Sequence, residues 1–522
     1  MNQILHIFRK DVRHHWIEIL LCQLALLAFC WNEVRSWSEP DVIDRNRTIT
    51  EGILFLLPLT WCFFILRIAH DESLAGDRQF WITRPYEWKK LLAEKILVVL
   101  VFLNLPLFIA GVILLNQAGF SPIPHIAALL WMQCFMLLFP FIPLLALGSV
   151  TRNLVQGGVA LLAVWLLVTG LFIFRIGFDA ALGGISSGLP FSWSPQDPLL
   201  VLFCIAVVVL QYARRKTSWS RTWLASGILV VLMISLASAY ARRHGYLSPG
   251  PGQQTSGFHA DLDPVKLAAP KDPPARNEDV FIGLPLSATG VPSNSLGWVQ
   301  DSRIVLEAPD GFRWVAHGGG TNWLLRPGEN RWRILLMMEY DAYQRLKSAP
   351  LKAHVAIAAG IGREHDFEVV TATDGEFAVP NDGRCRMWPR HNSLRCNSPL
   401  LTPSMVVLRV DPALSTCAPS DVAPLPMDGV PYSWHMRRDS RLLKYGVSPV
   451  ASTSFDFYFK RDITRICPGT PLTFSFPQFS ERVRSDFDIT NFKLEEYRLG
   501  LVWMDNDIKG ANGIRLGLPP LR

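Results

Sequence analysis

The feature that most restricts the fold of this 522-residue chain is a series of long apolar segments in its first half. A helix needs about 20 mostly apolar residues to cross the hydrocarbon layer of a membrane. The segments that reach or approach this length are 16–31, 52–68, 96–115, 126–150, 155–174, 198–212 and 223–240. We therefore predict a membrane α-helical bundle over residues 1–243, with six or seven transmembrane helices because the first and sixth segments are short. Pro106, Pro140 and Pro143 fall inside these segments, where neighbouring helices can satisfy the freed carbonyls.

Basic residues indicate which end of the bundle faces the cytoplasm, because Lys and Arg are enriched on that side of membrane spans. With a cytoplasmic N-terminus, the inside segments hold most of these residues, including Arg13, Arg78 and Arg214. The expected localisation is the bacterial cytoplasmic (inner) membrane, multi-pass, with the residues after the last span extracytoplasmic. Since the net charge of +7 lies largely beside apolar segments, it does not indicate nucleic acid as a partner.

The second half of the chain reads as a soluble domain. Residues 244–279 are rich in Pro, Gly and polar residues, which is typical of a linker. Residues 280–522 contain short runs of β-branched and aromatic residues, at 279–286, 302–307, 332–339, 354–359, 404–410, 454–459, 472–476 and 497–503. This pattern predicts an all-β, sandwich-like domain, with a helix at 334–346 as an alternative. We interpret the glycines at 318–320 as a turn.

Four cysteines of the second half, Cys385, Cys396, Cys417 and Cys467, are an even number, as expected for two disulfides in an oxidising compartment. Their spacing leaves all three pairings open. Free thiols are one alternative and a zinc site is another, although no C-x2-C pair is present. The other cysteines lie in or beside apolar segments, where a thiol usually packs as a small apolar group.

Motifs that would indicate catalysis are missing from the second half, which has neither H-E-x-x-H nor G-x-S-x-G. The whole chain lacks the phosphate-binding pattern G-x-x-x-x-G-K-[ST]. We therefore expect a non-catalytic chain that binds no cofactor and no metal.

Residues 1–16 place Ile4, Ile7 and Phe8 largely on one helical side, with Arg9 and Arg13 among the polar residues. This pattern is typical of a helix that lies in the membrane interface. The alternative is an ordinary basic flank of the first span.

The predicted cytoplasmic loop 67–95 is long, charged and aromatic. Pro85 and Glu87 suit the first turn of a short helix, and the basic residues further along match the helix dipole. Exposed aromatic side chains would anchor a partner protein; alternatively they lie at the lipid headgroup boundary. The residues that we assign to this loop are Asp71, Glu72, Asp77, Phe80, Trp81, Arg84, Pro85, Tyr86, Trp88, Lys89, Lys90 and Lys95.

The order of these features resembles the permease subunit of an ABC-2 type transporter. The resemblance lies in the basic amphipathic start, the acidic residues followed by Arg84 and Pro85, the ending LLAEK at Lys95, and a fourth span that ends in LALGSVTRNLVQGG. It covers residues 1–215. The chain departs from the family in a seventh span and an added extracytoplasmic domain, because the family has six spans and both ends inside.

The resemblance implies an ATP-driven exporter whose ATP is bound and hydrolysed on a separate cytoplasmic ABC ATPase subunit. The loop between spans two and three would be the coupling helix that docks on this ATPase. The remaining implied partners are membrane lipid and a second permease, either another copy of the chain or a different one.

From another class of function, the alternative is a membrane-anchored sensor or adhesion protein whose β domain binds an extracytoplasmic ligand. The loop around Arg84 and Pro85 favours the transporter over this alternative, because a protein whose helices only anchor an outer domain has little use for such a loop. An enzyme embedded in the membrane ranks third, since ionisable residues inside the spans are scarce and Glu18 is the main exception.

Overall fold

The structure is a computed structural model that describes residues 2–38, 47–71, 87–164, 166, 197–243, 257–263, 280–293, 295–325, 331–373, 375–379, 383–388, 393–399, 405–410, 432–437, 448–456 and 468–498. Up to residue 243 these residues form helices, and from residue 257 onward they form antiparallel sheets with one short helix. The predicted order, a helical half followed by a β-rich half, is confirmed.

The helical half contains α1 (Asn2–His14), α2 (Trp16–Ser38), α3 (Arg47–His70), α4 (Trp88–Val99), α5 (Leu105–Gln117), α6 (Ile126–Met136), α7 (Ile142–Val150), α8 (Leu154–Val164), α9 (Asp197–Arg214) and α10 (Thr217–Arg243). A π-helical segment, Leu100–Asn104, joins α4 to α5, and a second one, Leu137–Phe141, joins α6 to α7. Each pair is therefore one continuous helix.

Four helices are long and apolar enough to cross a membrane, namely Trp16–Arg35, Trp88–Gln117, Ile123–Val150 and Thr217–Ile234. Three shorter apolar helices are Phe55–His70, Leu154–Val164 and Pro198–Arg214. Every predicted apolar segment is helical wherever the structure describes it. The number of crossings stays a prediction.

Pro106 illustrates how these helices tolerate proline. It follows the π-helical segment directly, at the start of α5. Because proline has no N–H, it leaves the carbonyl four residues earlier, that of Phe102, without its usual helical partner. Gln23 of α2 donates its side-chain amide to this oxygen at 2.7 Å. A neighbouring helix thus satisfies the freed carbonyl, as predicted.

The helices share an apolar core in which Phe64, Leu107 and Val207 are fully buried. Other large apolar side chains of the same helices point outward, and Leu27 is 64% exposed and Ile113 52% exposed. In water, exposed apolar surface costs about 25 cal/mol per Å², whereas lipid tails cover it without this cost. The outward apolar surface therefore suits helices in a membrane.

The β half contains β1 (His259–Leu262), β2 (Val280–Thr289), β3 (Ser295–Glu307), β4 (Arg313–Leu325), β5 (Arg331–Met338), the helix α11 (Tyr340–Leu346), β6 (Leu351–Thr371), β7 (Glu376–Val379), β8 (Gly383–Trp388), β9 (Ser393–Pro399), β10 (Met405–Val410), β11 (Tyr432–Arg437), β12 (Val450–Asp456) and β13 (Pro471–Phe492). The described strands form three sheets with the orders β1-β2-β5, β11-β10-β13-β6-β3-β4 and β12-β9-β8-β7.

Two apolar cores hold these sheets together. The larger core joins the three-stranded sheet to the six-stranded sheet, through residues such as Leu336, Ile304 and Val355. The smaller core joins the four-stranded sheet to the first residues of β13, through Leu394 and Phe474. Each core therefore lies between strands of two different sheets.

A disulfide links Cys385 of β8 to Cys396 of β9. The two residues are paired across neighbouring antiparallel strands, and both are fully buried. Cys417 and Cys467 lie outside the described residues. Of the pairings that the sequence left open, the structure contains Cys385 with Cys396.

Three local predictions differ from the structure. The segment interpreted as a linker contains β1, which pairs with β2 and buries Ala260. The sequence did not predict this four-residue strand because the residues around it are rich in Pro and Gly. The glycines at 318–320 lie inside β4 rather than in a turn. Of the alternative helix at 334–346, only the second part forms, as α11, because the first part pairs with β2 as β5.

Candidate functional site

A polar cluster lies where the starts of α2 and α4 meet the end of α3. Its members are Asp11, His14, His15, Glu18, Arg67, Asp71, Glu94 and Lys95. In the described part of the helical half, the fully buried Asp, Glu, His, Lys and Arg side chains all belong to this cluster. Burying such charges costs free energy unless they are paired. The polar cluster is therefore the strongest candidate for a functional site in this half.

The first helix supplies the cluster through one of its faces. Ile7, Asp11 and His15 follow each other at intervals of four residues and are all buried, as expected for one face of a helix. Arg9 and Arg13 lie on the exposed side. The inner face of this short helix is therefore polar in its second half, where it meets α3 and α4.

Lys95 of α4 forms an ion pair with Asp11, and both side chains are buried. Glu94, also fully buried, lies with Oε2 at 3.5 Å from the Lys95 ammonium. An ion pair out of water is held by good geometry, and losing one partner leaves an uncompensated charge. This pair therefore fixes the position of α1 against the start of α4.

The two histidines at the junction of α1 and α2 both face Asp71, the first residue after α3. His15 Nε2 lies 2.9 Å from Asp71 Oδ2, and His14 Nε2 lies 3.7 Å from Asp71 Oδ1. Burial alone would raise the pKa of the Asp71 carboxyl. The hydrogen bond with His15 and the electrostatic influence of His15, His14 and Lys95 outweigh burial and hold this pKa below its usual value.

Glu18 continues the network on the other side of His15. Its Oε1 lies 3.8 Å from His15 Nδ1 and 3.8 Å from Arg67 Nε. The His15 ring is only 1% exposed. The ring of His15 therefore lies between two carboxylates, that of Glu18 in the first turn of α2 and that of Asp71 after α3.

Two further polar contacts lie at the same end of the helices. His70 Nε2 is 2.7 Å from the hydroxyl oxygen of Thr151, which follows α7. Arg221 of α10 donates from Nε to the carbonyl oxygen of Val150 at 2.9 Å. Polar contacts thus tie together six of the described helices at this end, namely α1, α2, α3, α4, α7 and α10.

The sequence-predicted loop is described only at its two ends. Asp71, Trp88, Lys89, Lys90 and Lys95 are described, whereas Glu72, Asp77, Phe80, Trp81, Arg84, Pro85 and Tyr86 lie outside the described residues. Trp88 is half-buried against the helical core, with the Lys89 ammonium 5.8 Å from its ring centroid. Lys90 pairs with Glu87 at 2.9 Å and is partly exposed. The assignment of the loop to a partner stays a prediction.

Two features of this loop need correction. We expected a short helix after Pro85, separate from the span that starts at residue 96, but the helix that starts at Trp88 continues into the span without a break. We also grouped Lys95 with the partner-facing loop residues, but its ammonium is buried against Asp11. Lys95 therefore cannot offer its charge to another protein from this position.

Asp11, His15 and Glu94 were missed by the sequence reasoning. The available signal was an acidic residue on the apolar face of a basic helix, four residues after Ile7 and four before His15. A charge at such a position has to find a partner inside the fold. The identity of that partner, 84 residues away, is not visible in the sequence.

The β half contacts the opposite end of the helices at a surface that we call the β junction. Its members are Glu33, Gly111 and Phe120 of the helical half and Gly383, Ser448, Pro449 and Val450 of the β half. Ser448 Oγ donates to Glu33 Oε1 at 3.3 Å. Val450 is fully buried and packs with the core of the helices.

Comparison of the sequence with family models and with curated proteins identifies no relative of this chain. No family model matches the sequence, and no curated protein matches it. Among solved structures, the chain is similar to the crystal structure of red sea bream transglutaminase, with a TM-score of 0.13 and 7% identity. That match covers 45% of this chain and 31% of the transglutaminase. Nothing about fold or activity follows from so low a score.

Proposed function

We propose that this chain is the permease subunit of an ATP-driven transporter of the ABC-2 type, acting as an exporter. ATP would be hydrolysed on a separate cytoplasmic ATPase subunit, and the loop 67–95 would dock on it. The proposal rests on the family resemblance of this loop together with one structural observation, the way in which the polar cluster holds both ends of the loop.

That observation carries the proposal. Asp71, which directly precedes residues 72–86, contacts His15, and Lys95, two turns into the helix α4 that begins at Trp88, contacts Asp11. Both contacts are made by the same N-terminal region. A force that the ATPase exerts on the residues between α3 and α4 would therefore move α1, α3 and α4 together. Transmission of this kind is what a permease needs from its ATPase. A bundle that only anchors an outer domain has no use for it.

The proposal includes a topology. The polar cluster would face the cytoplasm of a bacterial cell, seven helices would cross the inner membrane, and the β half would lie outside as a sandwich-like domain. In support, α2 carries Glu18 of the polar cluster near one end and Glu33 of the β junction near the other. At 1.5 Å per residue, these residues are about 22 Å apart along the helix. The permease would pair with a second copy or with another permease.

The test is association with an ATPase. The protein is extracted in mild detergent, the proteins that co-purify with it are identified, and their ATPase activity is measured with the reconstituted permease. Trp81→Ala with Arg84→Ala should reduce binding and stimulation by at least roughly 30-fold, because an aromatic or Arg anchor contributes about 2 kcal/mol or more.

A matched control lies at the same end of the helices. Trp219 and Arg152 are both exposed there but lie outside the loop, so Trp219→Ala with Arg152→Ala should leave binding and stimulation unchanged. If the loop variant stimulates the ATPase as the parent does, the loop is not the coupling element. If no ATPase co-purifies with the parent, the anchored sensor or adhesion protein replaces the transporter as the best proposal.

A further inference from the structure

We propose that His14, His15 and Asp71 form a binding site for a divalent transition metal ion, with Zn²⁺ as the expected ion. The sequence did not predict this site. The inference goes beyond the transporter proposal and does not depend on it, because metal binding is a property of the isolated chain.

The spacing of the three side chains suits a small ion with nitrogen and oxygen ligands. One ligand atom from each lies within 4.8 Å of the others. The distances from the Asp71 carboxylate oxygens to His15 Nε2 and His14 Nε2 are 2.9 and 3.7 Å. In a tetrahedral zinc site, bonds of about 2.0–2.1 Å place neighbouring ligand atoms about 3.3 Å apart. The two carboxylate distances lie on either side of this value, and all three ligand atoms lie within 4.8 Å of one another, so side-chain shifts of up to about 1.5 Å would complete the site.

The bend between α1 and α2 is what brings both rings to one carboxylate. Consecutive residues of a straight helix point about 100° apart, so adjacent histidines do not normally share a ligand. Here α1 ends at His14 and α2 begins at Trp16. The two imidazole rings meet edge to face, with centroids 4.8 Å apart.

The surroundings of His15 place a second carboxylate near its other ring nitrogen. A metal-bound histidine usually uses one ring nitrogen for the metal and donates the other N–H to a carboxylate, which orients the ring. In His15, Nε2 faces Asp71, while the buried Nδ1 makes no hydrogen bond to a described residue and lies 3.8 Å from Glu18 Oε1. A shift of Glu18 by about 1 Å would make this hydrogen bond when the metal is bound.

The ligand set and the nearby charges indicate which ion would bind. Two imidazoles and one carboxylate favour Zn²⁺ and similar metals over Mg²⁺ and Ca²⁺, which prefer oxygen ligands. The nearby cations Arg67 and Lys95 each contact a carboxylate of their own, Glu18 and Asp11. The His14 side chain is 55% exposed. An ion can therefore enter from this side, and the fourth position is open to water.

Binding would hold the junction of α1 and α2 against Asp71, the first residue after α3. The contact between His15 and Asp71 would be replaced by stronger metal bonds. Zn²⁺ would thus stiffen the packing of α1 and α2 against the end of α3.

The experiment uses the full chain, purified without a histidine tag and stripped of metal by a chelator. Titration with ZnCl₂, followed by calorimetry, should give about one Zn²⁺ per chain. Co²⁺ in place of Zn²⁺ should give the visible absorption of a tetrahedral complex. Changes outside the ligand set of a zinc site already weaken binding by about 10–100-fold. His14→Ala, which removes a ligand, should therefore weaken it by at least about 100-fold.

Two further variants complete the design. Glu18→Gln should weaken Zn²⁺ binding by about 10-fold through the orientation of His15. His6→Ala is the matched control, because His6 is exposed on the same helix, two turns away, and it should change nothing. Absence of stoichiometric binding by the parent overturns the proposal, and so does unchanged binding by His14→Ala, whose exposed side chain is not needed for folding. Neither outcome bears on the ATPase experiment.

Discussion

The two ends of the helical half are built from different chemistry. At the polar cluster, buried charges of α1 and α4 meet in an ion pair, and the buried His15 bonds to Asp71, the residue after α3. Among the described residues of the β junction, the contact is mostly apolar, with Val450 in the helical core and Phe120 against Gly383, and the Ser448 hydroxyl bonds to Glu33 across it. Ion pairs define direction and distance sharply, whereas apolar contacts depend mainly on volume. Removal of a charge should therefore destabilise the polar cluster, whereas added side-chain volume should destabilise the β junction.

The largest effect is expected from Lys95→Met. This change removes the cation that the buried Asp11 and Glu94 face, and it should destabilise the helical half by about 3–5 kcal/mol. The measurement is equilibrium unfolding in mixed detergent micelles. Lys216→Met, an exposed lysine at the same end, is the control and should change stability by less than about 0.5 kcal/mol.

A double variant separates the loss of an ion pair from the loss of packing. Lys95→Met alone leaves both Asp11 and Glu94 without their cation, whereas Asp11→Leu with Lys95→Met leaves only Glu94. The double variant should therefore be clearly more stable than Lys95→Met alone. Equal instability of the two variants would mean that side-chain volume, and not charge, holds this end together.

The second effect concerns the disulfide beside the β junction. Cys385→Ala with Cys396→Ala opens a loop closed over a sequence separation of 11, which should destabilise the β half by about 3 kcal/mol. A reducing agent should shift the unfolding of the parent protein but not that of this variant. Cys134→Ala, at an exposed free cysteine, serves as the control. A parent protein that is insensitive to reduction would contradict the bond and the oxidising exterior proposed for the β half.

The third effect tests added volume at the β junction. Gly383 has a φ of +76°, and a Cβ placed on it would clash both with the carbonyl oxygen of Asn397 in its own sheet and, at 2.5 Å, with Phe120 Cζ of the helical half. Gly383→Ala should therefore cost about 1–3 kcal/mol, from backbone strain and from overpacking. Limited proteolysis should show earlier release of the β half. Gly375→Ala has nothing within 4 Å of its added carbon, so it should match the parent protein.

The parts of the fold that follow from local pattern could be predicted from the sequence. Apolar segments such as 126–150 became helices because their length and composition suffice. Strands such as β5 and β10 follow from runs of β-branched and aromatic residues. β1 was missed because it has only four residues, and its place depends on pairing with β2. Here tertiary contacts outweighed the local composition.

The polar cluster shows where prediction from one sequence ends. Lys95 was assigned to an exposed loop because its neighbours are charged, but its position is determined by Asp11, 84 residues away. His15 and Asp71 are 56 residues apart. Nothing in the spacing of either pair shows that the residues meet. A charge on the apolar face of a helix indicates that a partner exists without saying which one it is.

The smallest effect is expected at the hydrogen bond between Ser448 and Glu33, which crosses the β junction. The Ser448 hydroxyl lies 3.3 Å from Glu33 Oε1 and 2.8 Å from the carbonyl oxygen of Val450. Since a hydroxyl has one proton to donate, the shorter contact competes with the bond to Glu33. Ser448→Ala should therefore cost about 1 kcal/mol, and a double-mutant cycle with Glu33→Gln should give a coupling energy near 0.5 kcal/mol. The same cycle for Asp11 and Lys95 should give several times more. If the two couplings were equal, the contrast between a charged end and an apolar end would be wrong.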